Sequence, residues 1–385
     1  MKKVFLTGIT GLVGSAVVVG LSRQRRGEFQ FVCLARGNSA QSADDRVRKI
    51  IADECAFEGC PQDVDLVMEH VEVISGDIVT LDVDKIAADP KMQGVETIFH
   101  CAADVNLGKD PDGKTFRINY NGTENVLKLA KKINAKEFHY VGTAYIAGKL
   151  VGTAYENNPI DNGFNNPYEE SKYKAEMLVR ASGIPFTVYR PGIVTGRRSD
   201  GRIRKPLAFY RILEFLGKVK SHQCSKLKID PREWVDLSIN FSAEPSEHVY
   251  FVPIDYVAEA IIALFPLGVH NQAYHLTGDS PVTTKQIEDT VTRVLRLSNV
   301  HVAANVENSR NTTLMSRFVG DLFPYFSSDI VFDQSNVRRD LGDKILDWEY
   351  GVKGLQTLIC SYYLDHYPNV EWLQDVAKNV PTERK

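Results

Sequence analysis

The sequence predicts an α/β protein: a doubly wound parallel sheet followed by a smaller, mostly helical C-terminal region. Three observations lead there. Short β-rich runs alternate with helical stretches over the first 196 residues, a glycine-spaced turn joins the first run to the first helix, and the pattern changes after residue 196. Alternating strands and helices build βαβ units, and right-handed crossovers place helices on both faces of a parallel sheet. A ligand then belongs at the carboxyl ends of the strands.

The elements follow in order. VFLTG (4–8) is an apolar run ending in glycine, and LVGSAVVVGLSRQ (12–24) is the first helix. QFVCLAR (30–36) is the second strand, and DDRVRKIIADECA (44–56) has helical spacing. HVEVISGD (70–77), VETIFHCAA (95–103), EFHYVGT (137–143) and FTVYRPG (186–192) read as further strands. TENVLKLAKKI (123–133) and YEESKYKAEMLVRAS (168–182) carry apolar residues at i, i+3, i+4 and are amphipathic helices. Beyond residue 196, PLAFYRILEFLGKV (206–219) is helical and aromatic. VYFVPIDYVAEAIIALF (249–265) is a strand, then a helix capped by Asp255. AYHLTGD (273–279) is another strand, and Thr283 and Thr284 lead into a helix over 285–296. The expected division is discontinuous: 1–196 with 249–280 returning to it, and 197–248 with 281–385 shaping a substrate pocket.

Composition narrows the function. With 385 residues, 43% hydrophobic and 25% charged, the chain can bury a large core. A net charge of −3 provides no basic stripe for nucleic acid. No apolar run reaches the ~20 residues that span a bilayer. The opening MKKVFLTGITGLVGSAVVVG has the charge and apolar run of a signal peptide, but Gly8, Gly11 and Gly14 interrupt it and no small-residue cleavage site follows. The six cysteines are scattered without metal-site spacing, so no metal centre is expected, and reduced thiols in the cytoplasm are.

TGITGLVG (7–14) lies between the first strand and the first helix, the context of a Rossmann dinucleotide site. Gly8 allows the tight turn, Gly11 the approach of a diphosphate, and Gly14 close helix–sheet packing. Gly8, Thr10, Gly11, Leu12, Val13 and Gly14 are the expected loop contacts. An NAD site usually ends its second strand with an acid that binds the ribose 2′-hydroxyl. Here the charged residue is Arg36, whose fork suits a 2′-phosphate, so the expected cofactor is NADP(H). Asp77, with Ile78 beside it, closes the third strand where a carboxylate meets the adenine amino group or caps the strand.

Two Tyr-x-x-x-Lys pairs compete for a catalytic role: Tyr145 with Lys149, and Tyr168 with Lys172. The first straddles Gly148 in a loop. The second lies one turn apart on a helix face, with Thr143 ending the strand before it. Carbonyl reduction needs hydride on carbon and a proton on oxygen. A nearby ammonium moves a phenol toward working pH, and a hydroxyl orients the substrate oxygen. Asn119, in NYNGT, either supports a water chain to Lys172 or starts a helix.

As a set, TGITGLVG, GDI, FHCAA, NYNGT, VGTA, YEESK and YRPGIVTG resemble the extended short-chain dehydrogenase/reductases over roughly residues 1–280. The resemblance implies catalytic roles for Thr143, Tyr168, Lys172 and Asn119, and cofactor contacts from Ala102, Ala103, Pro191 and Ile193. LARGNSAQSADDRVRKI, with Arg46 in the long connection from Arg36 to Gly76, and VPIDYVAEAI are similar to the thioester-reductase and fatty acyl-CoA reductase branch. That branch implies NADPH-dependent reduction of an acyl thioester, on CoA or on a carrier protein in trans, to an aldehyde or on to an alcohol. The helix PLAFYRILEFLGKVK (206–220) then lines an acyl tunnel with lysines for a phosphopantetheine or an acidic carrier, or is an ordinary core helix with a basic end. The chain departs from the pattern at Gly142, where serine is common, and its last hundred residues carry no placed motif. A homodimer is one arrangement that the superfamily allows.

The rivals are a nucleotide-sugar epimerase, a ketone or sterol-like alcohol dehydrogenase, and a non-catalytic NADPH sensor. A dehydratase would carry acids after the threonine, where Ala144 and Tyr145 stand. Arg36 speaks against an NAD-dependent epimerase. A sensor has no need of the intact trio.

Overall fold

The structure is a computed structural model that describes residues 1–303 and 309–381. Seven strands form the central sheet: Lys2–Thr7 (β1), Phe29–Ala35 (β2), Val71–Ser75 (β3), Val95–His100 (β4), Glu137–Val141 (β5), Phe186–Pro191 (β6) and Gln272–Leu276 (β7). Every pairing is parallel, in the spatial order β7-β6-β5-β4-β1-β2-β3. Both faces are covered, which explains the near-continuous apolar strands. The order reverses between β1 and β4, the switch point at which such sheets bind their ligands.

The major helices are Leu12–Gln24 (α1), Ala43–Phe57 (α2), Gly122–Lys132 (α3), Pro167–Arg180 (α4), Phe209–Leu227 (α5), Ile254–Leu264 (α6), Thr284–Val294 (α7), Arg310–Val319 (α8), Gly351–His366 (α9) and Glu371–Lys378 (α10). On one face of the sheet, Val17, Val18 and Leu21 of α1 share a core with Val257 and Ile261 of α6. On the other, Val126 and Leu129 of α3 share one with Ala175 and Val179 of α4. A third core joins α5, α7, α9 and α10 to a two-stranded parallel pair, Val235–Ser242 with Leu297–Ala303. Between the layers, Phe251–Pro253 pairs with Ile193–Thr195 and leads through α6 into β7 at the sheet edge.

Three local expectations change. Asp255 does not cap α6: Pro253 holds the cap position, and the Asp255 carboxylate accepts from the Arg198 backbone and guanidinium. α7 ends at Val294 because the chain turns at Leu295 and Leu297 begins a strand. Its start carries a reciprocal capping box between Thr283 and Gln286. α5 runs from Phe209 to Leu227, displaced toward the C-terminus relative to 206–219.

Two buried histidines, His100 on β4 and His275 on β7, are held neutral. Burial pushes both imidazoles down to about 3, with Lys172 adding repulsion at the first and Arg190 at the second. Their unfolded counterparts titrate near 6.5. Between those values the unfolded chain binds more protons, so each histidine lowers stability on acidification by about 1.4 kcal/mol per pH unit. Glu156, pushed up to about 7 by burial, acts in the opposite sense between pH 7 and its ordinary value. The histidine contribution is therefore read as a difference. Urea melts at pH 7, 6 and 5 should show a shallower acid loss for His275→Gln than for wild type.

Candidate active site

The phosphate loop is shaped by the absence of side chains. Gly8 adopts φ +88°, and a Cβ there would meet the Ala102 nitrogen at 2.6 Å. A Cβ on Gly14 would lie 2.3 Å from the Gly8 carbonyl oxygen. The start of α1 thus sits against the end of β1 and the β4 loop. Gly11 occupies the N-cap without a capping side chain, so the first amides of α1, at Leu12 and Val13, keep their donors for an anion. Thr10 and Val13 are half-buried beside them, and the Leu12 side chain packs into the C-terminal core with Tyr145 and Ile203. Open amides at a helix start, with no Cβ in the way, fit a dinucleotide diphosphate.

Charged groups gather at the ends of β2 and β3. Arg36 Nη1 donates to Asp77 Oδ2 at 3.0 Å, and Arg46 Nη1 donates to the Arg36 carbonyl at 2.9 Å. The second Asp77 oxygen accepts from the Val79 amide at 2.8 Å, with Ile78 buried between them. Asp77 therefore orients Arg36. Arg36 itself remains 61% exposed, open to an anionic group.

The β5–β6 edge carries the candidate hydroxyls, Thr143 and Tyr168. Thr143 follows β5, and its Oγ1 accepts from the Tyr145 amide at 3.3 Å and lies 3.5 Å from the Pro191 carbonyl. It also stands close enough to the Tyr168 phenol to pull its pKa down slightly. α4 begins with Pro167 at its first position, and the Asn166 side chain caps it by accepting from the Glu169 amide at 3.0 Å. That start places Tyr168 in the first turn and Lys172 one turn on. Lys172 is buried: its Nζ donates to the Val141 carbonyl at 2.8 Å and stands 4.4 Å from the centre of the Tyr140 ring. The decoy pair separates, with Tyr145 buried and Lys149 exposed around Gly148.

The electrostatics differ from expectation. Burial pushes the Tyr168 phenol up to about 12, against a smaller downward pull from Thr143. Burial lowers Lys172 to about 8. Lys172 is engaged by a carbonyl and an aromatic face, desolvation of the phenol outweighs the pull of Thr143, and the phenol stays protonated at neutral pH. That state suits a proton donor.

Asn119 lies in a wide turn, Arg117–Asn121, ahead of α3. Its Oδ1 accepts from the Asp104 amide at 2.8 Å, and its Nδ2 donates to the Asp104 carbonyl and the Ser171 hydroxyl, both at 2.9 Å. Ser171 in turn donates to the Tyr168 carbonyl at 2.8 Å. Asn119 thus ties the loop after β4 to the tyrosine's own turn. Ala102 and Ala103 lie on that loop, where the Ala102 amide donates to Thr7 Oγ1 at 3.3 Å, and Pro191 and Ile193 flank the end of β6. His275 is a core residue bonded to Arg190 and the Asp333 carbonyl.

Sequence reasoning missed His100. Its ring bridges Thr7 Oγ1 at 2.6 Å and Thr123 Oγ1 at 2.9 Å, and Thr123 donates to the Asn119 carbonyl at 2.6 Å. A histidine closing a strand at the carboxyl edge, in FHCAA, was the available signal. Of the two lysines expected to face a carrier from 206–220, Lys218 is exposed and pairs with Glu214, but Lys220 does not reach the surface. Lys220 is buried, and its Nζ donates to the Glu233 and Leu295 carbonyls at 2.8 and 2.6 Å, so it presents no charge to a carrier.

A doubly wound sheet, a glycine phosphate loop and a Thr–Tyr–Lys cluster at the strand edge define an extended short-chain dehydrogenase/reductase. Within that class, the profile of the male sterility protein NAD-binding family matches residues 6–261, and the chain belongs to this family. Carboxylic acid reductase from Segniliparus rugosus is 27% identical over 297 residues, 71% of this chain and 24% of that protein. Carboxylic acid reductase from Mycobacterium tuberculosis is 26% identical over 293 residues, 70% of this chain and 24% of that one. The chain spans about a quarter of the length of these relatives. Among solved structures, the terminal R domain of the myxalamid PKS-NRPS pathway superposes with TM-score 0.71 at 22% identity, covering 95% of this chain and 92% of that one. A thiolation-reductase di-domain from an archaeal non-ribosomal peptide synthetase gives 0.66 at 21%, covering 95% and 91%. UDP-glucuronic acid 4-epimerase from Bacillus cereus gives 0.62 at 17%, covering 94% and 99%. These superpositions are likenesses of fold. Among the described residues, no helix is long and apolar enough to cross a membrane.

Proposed function

We propose that the protein reduces an acyl thioester to an aldehyde with NADPH. The observation that carries this reading is the placement of Tyr168 in the first turn of α4, near Thr143 and one helical turn from buried Lys172. The family and the reductase names of its relatives support the thioester as substrate class. When bound, the cofactor supplies hydride. Thr143 and Tyr168 donate hydrogen bonds to the thioester oxygen, stabilise its developing charge, and Tyr168 gives up its proton. The resulting hemithioacetal collapses to thiol and aldehyde. Lys172, through the Val141 carbonyl and the Tyr140 face, fixes the floor beneath the tyrosine.

Arg36 and Arg46 support NADPH over NADH. Arg36→Glu is expected to weaken NADPH binding roughly 10- to 100-fold and NADH binding far less. Fluorescence titration of both dinucleotides checks this, and an unchanged preference would remove Arg36 from the site.

The test of the reaction follows NADPH absorbance with medium- and long-chain acyl-CoAs, an acyl-pantetheine, a UDP-sugar and a simple ketone. Oxidation of NADPH with release of free thiol supports the reading. Turnover of the ketone alone makes the protein an alcohol dehydrogenase of the same superfamily.

A further inference from the structure

The phosphate loop TGITGLVG contains no lysine or arginine, yet a buried charged cluster abuts its helix. Glu54 of α2 is fully buried. Its Oε2 accepts from Ser15 Oγ at 2.6 Å and from Arg204 Nε at 3.0 Å. Arg204 Nη2 donates to Ser15 Oγ at 2.7 Å and lies 3.4 Å from the Gly11 carbonyl. Arg204 therefore sits on the first turn of α1, the turn whose amides face an anion. It arrives from the segment after Ile193–Thr195, which is seated on α2 a second time. There Arg197 donates to the Phe57 carbonyl at 2.6 Å and lies over the Phe57 ring at 4.2 Å.

A buried carboxylate one turn from a diphosphate site repels the ligand unless it is neutralised. Arg204 neutralises Glu54 through Nε, while its Nη1 has no partner among the described residues, and the side chain keeps 14% exposure. Glu54 Oε1 is likewise buried without a partner, so the carboxylate is not saturated by the fold.

We propose that Arg204 is a cofactor-binding residue whose free guanidinium edge pairs with the dinucleotide diphosphate, and that Glu54 and Ser15 position it. α2 then serves both ends of the adenylate, with Arg46 near its start and Glu54 near its end. This rests on the dinucleotide reading above. A wild-type protein that binds neither NADPH nor NADH sinks that reading, separately from this one.

The test is the dissociation constant of NADPH, by fluorescence, against that of adenosine 2′-monophosphate, which lacks the diphosphate. Arg204→Gln is expected to weaken NADPH about tenfold or more while 2′-AMP changes less than about twofold, with Arg204→Lys recovering part of the loss. Equal losses for both ligands, or unchanged NADPH affinity, overturn the proposal, because a purely structural residue does not discriminate between them. If Arg204→Gln fails to fold, Glu54→Gln decides. It loses the charge that holds the Arg204 guanidinium, so NADPH should bind severalfold weaker while 2′-AMP changes less than about twofold. Equal losses for both ligands, or unchanged NADPH affinity, overturn the assignment.

Discussion

Tyr168→Phe is expected to lower the rate of thioester reduction roughly 10²- to 10⁴-fold, the range for removal of a positioned general acid. The ring, the cap at Asn166 and the path of α4 are retained, so folding and dinucleotide affinity should stay near wild type. A large loss of rate with unchanged dinucleotide affinity is the signature of a group that acts on the reacting oxygen. Measuring turnover and NADPH binding on the same preparation separates this from a damaged site. The pH profile adds a second check. With the phenol at about 12, reduction should show no tyrosine limb near neutrality, and the first loss should appear as Lys172 deprotonates around 8. A rate that already falls between pH 6 and 7 would place a different, more acidic proton donor at the carbonyl.

The largest expected loss of stability is at Arg190. This side chain on β6 is 1% exposed and binds the fully buried Glu176 through Nε at 2.9 Å and through Nη2. Its Nη1 donates to the Glu156 carbonyl and to His275 Nε2, both at 3.0 Å. Arg190→Met removes four bonds and leaves Glu176 with Arg180 alone. Breaking one partner of a buried pair costs about 3–5 kcal/mol. Arg180, whose side chain is 18% exposed, offers the contrast, and Arg180→Ala should cost much less. Urea unfolding of the two variants checks the difference, and equal losses would mean that the Arg190 network adds nothing beyond the single Arg180 pair.

The fold was legible from particular residues. The apolar runs at 4–8, 30–36 and 95–103, each followed by a helical stretch, specify parallel strands covered on both faces. The three glycines at 8, 11 and 14 mark the turn between β1 and α1. The placement of Tyr168 and Lys172 one turn apart was readable because a helix holds both, whereas Gly148 breaks the competing pair. Other features were not. Asp255 looked like a cap by position, but Arg198, distant in sequence, took its carboxylate. Lys220 looked like a basic helix end, yet the carbonyls of Glu233 and Leu295 enclose it.

By itself, then, the sequence determined the strand–helix alternation, the glycine turn before α1 and the spacing of Tyr168 and Lys172 on one helix face, because each depends on neighbours within a turn or two of chain. The tertiary structure alone decided the burial that raises the Tyr168 phenol, the pairing of Asp77 with Arg36, the hydrogen bonds of His100 and the Arg204–Glu54 contact. Those properties depend on burial and on partners drawn from distant segments. Arg204 lies 150 residues from Glu54 in the chain, and only the packing of the 197–205 segment on α2 brings them within hydrogen-bond reach.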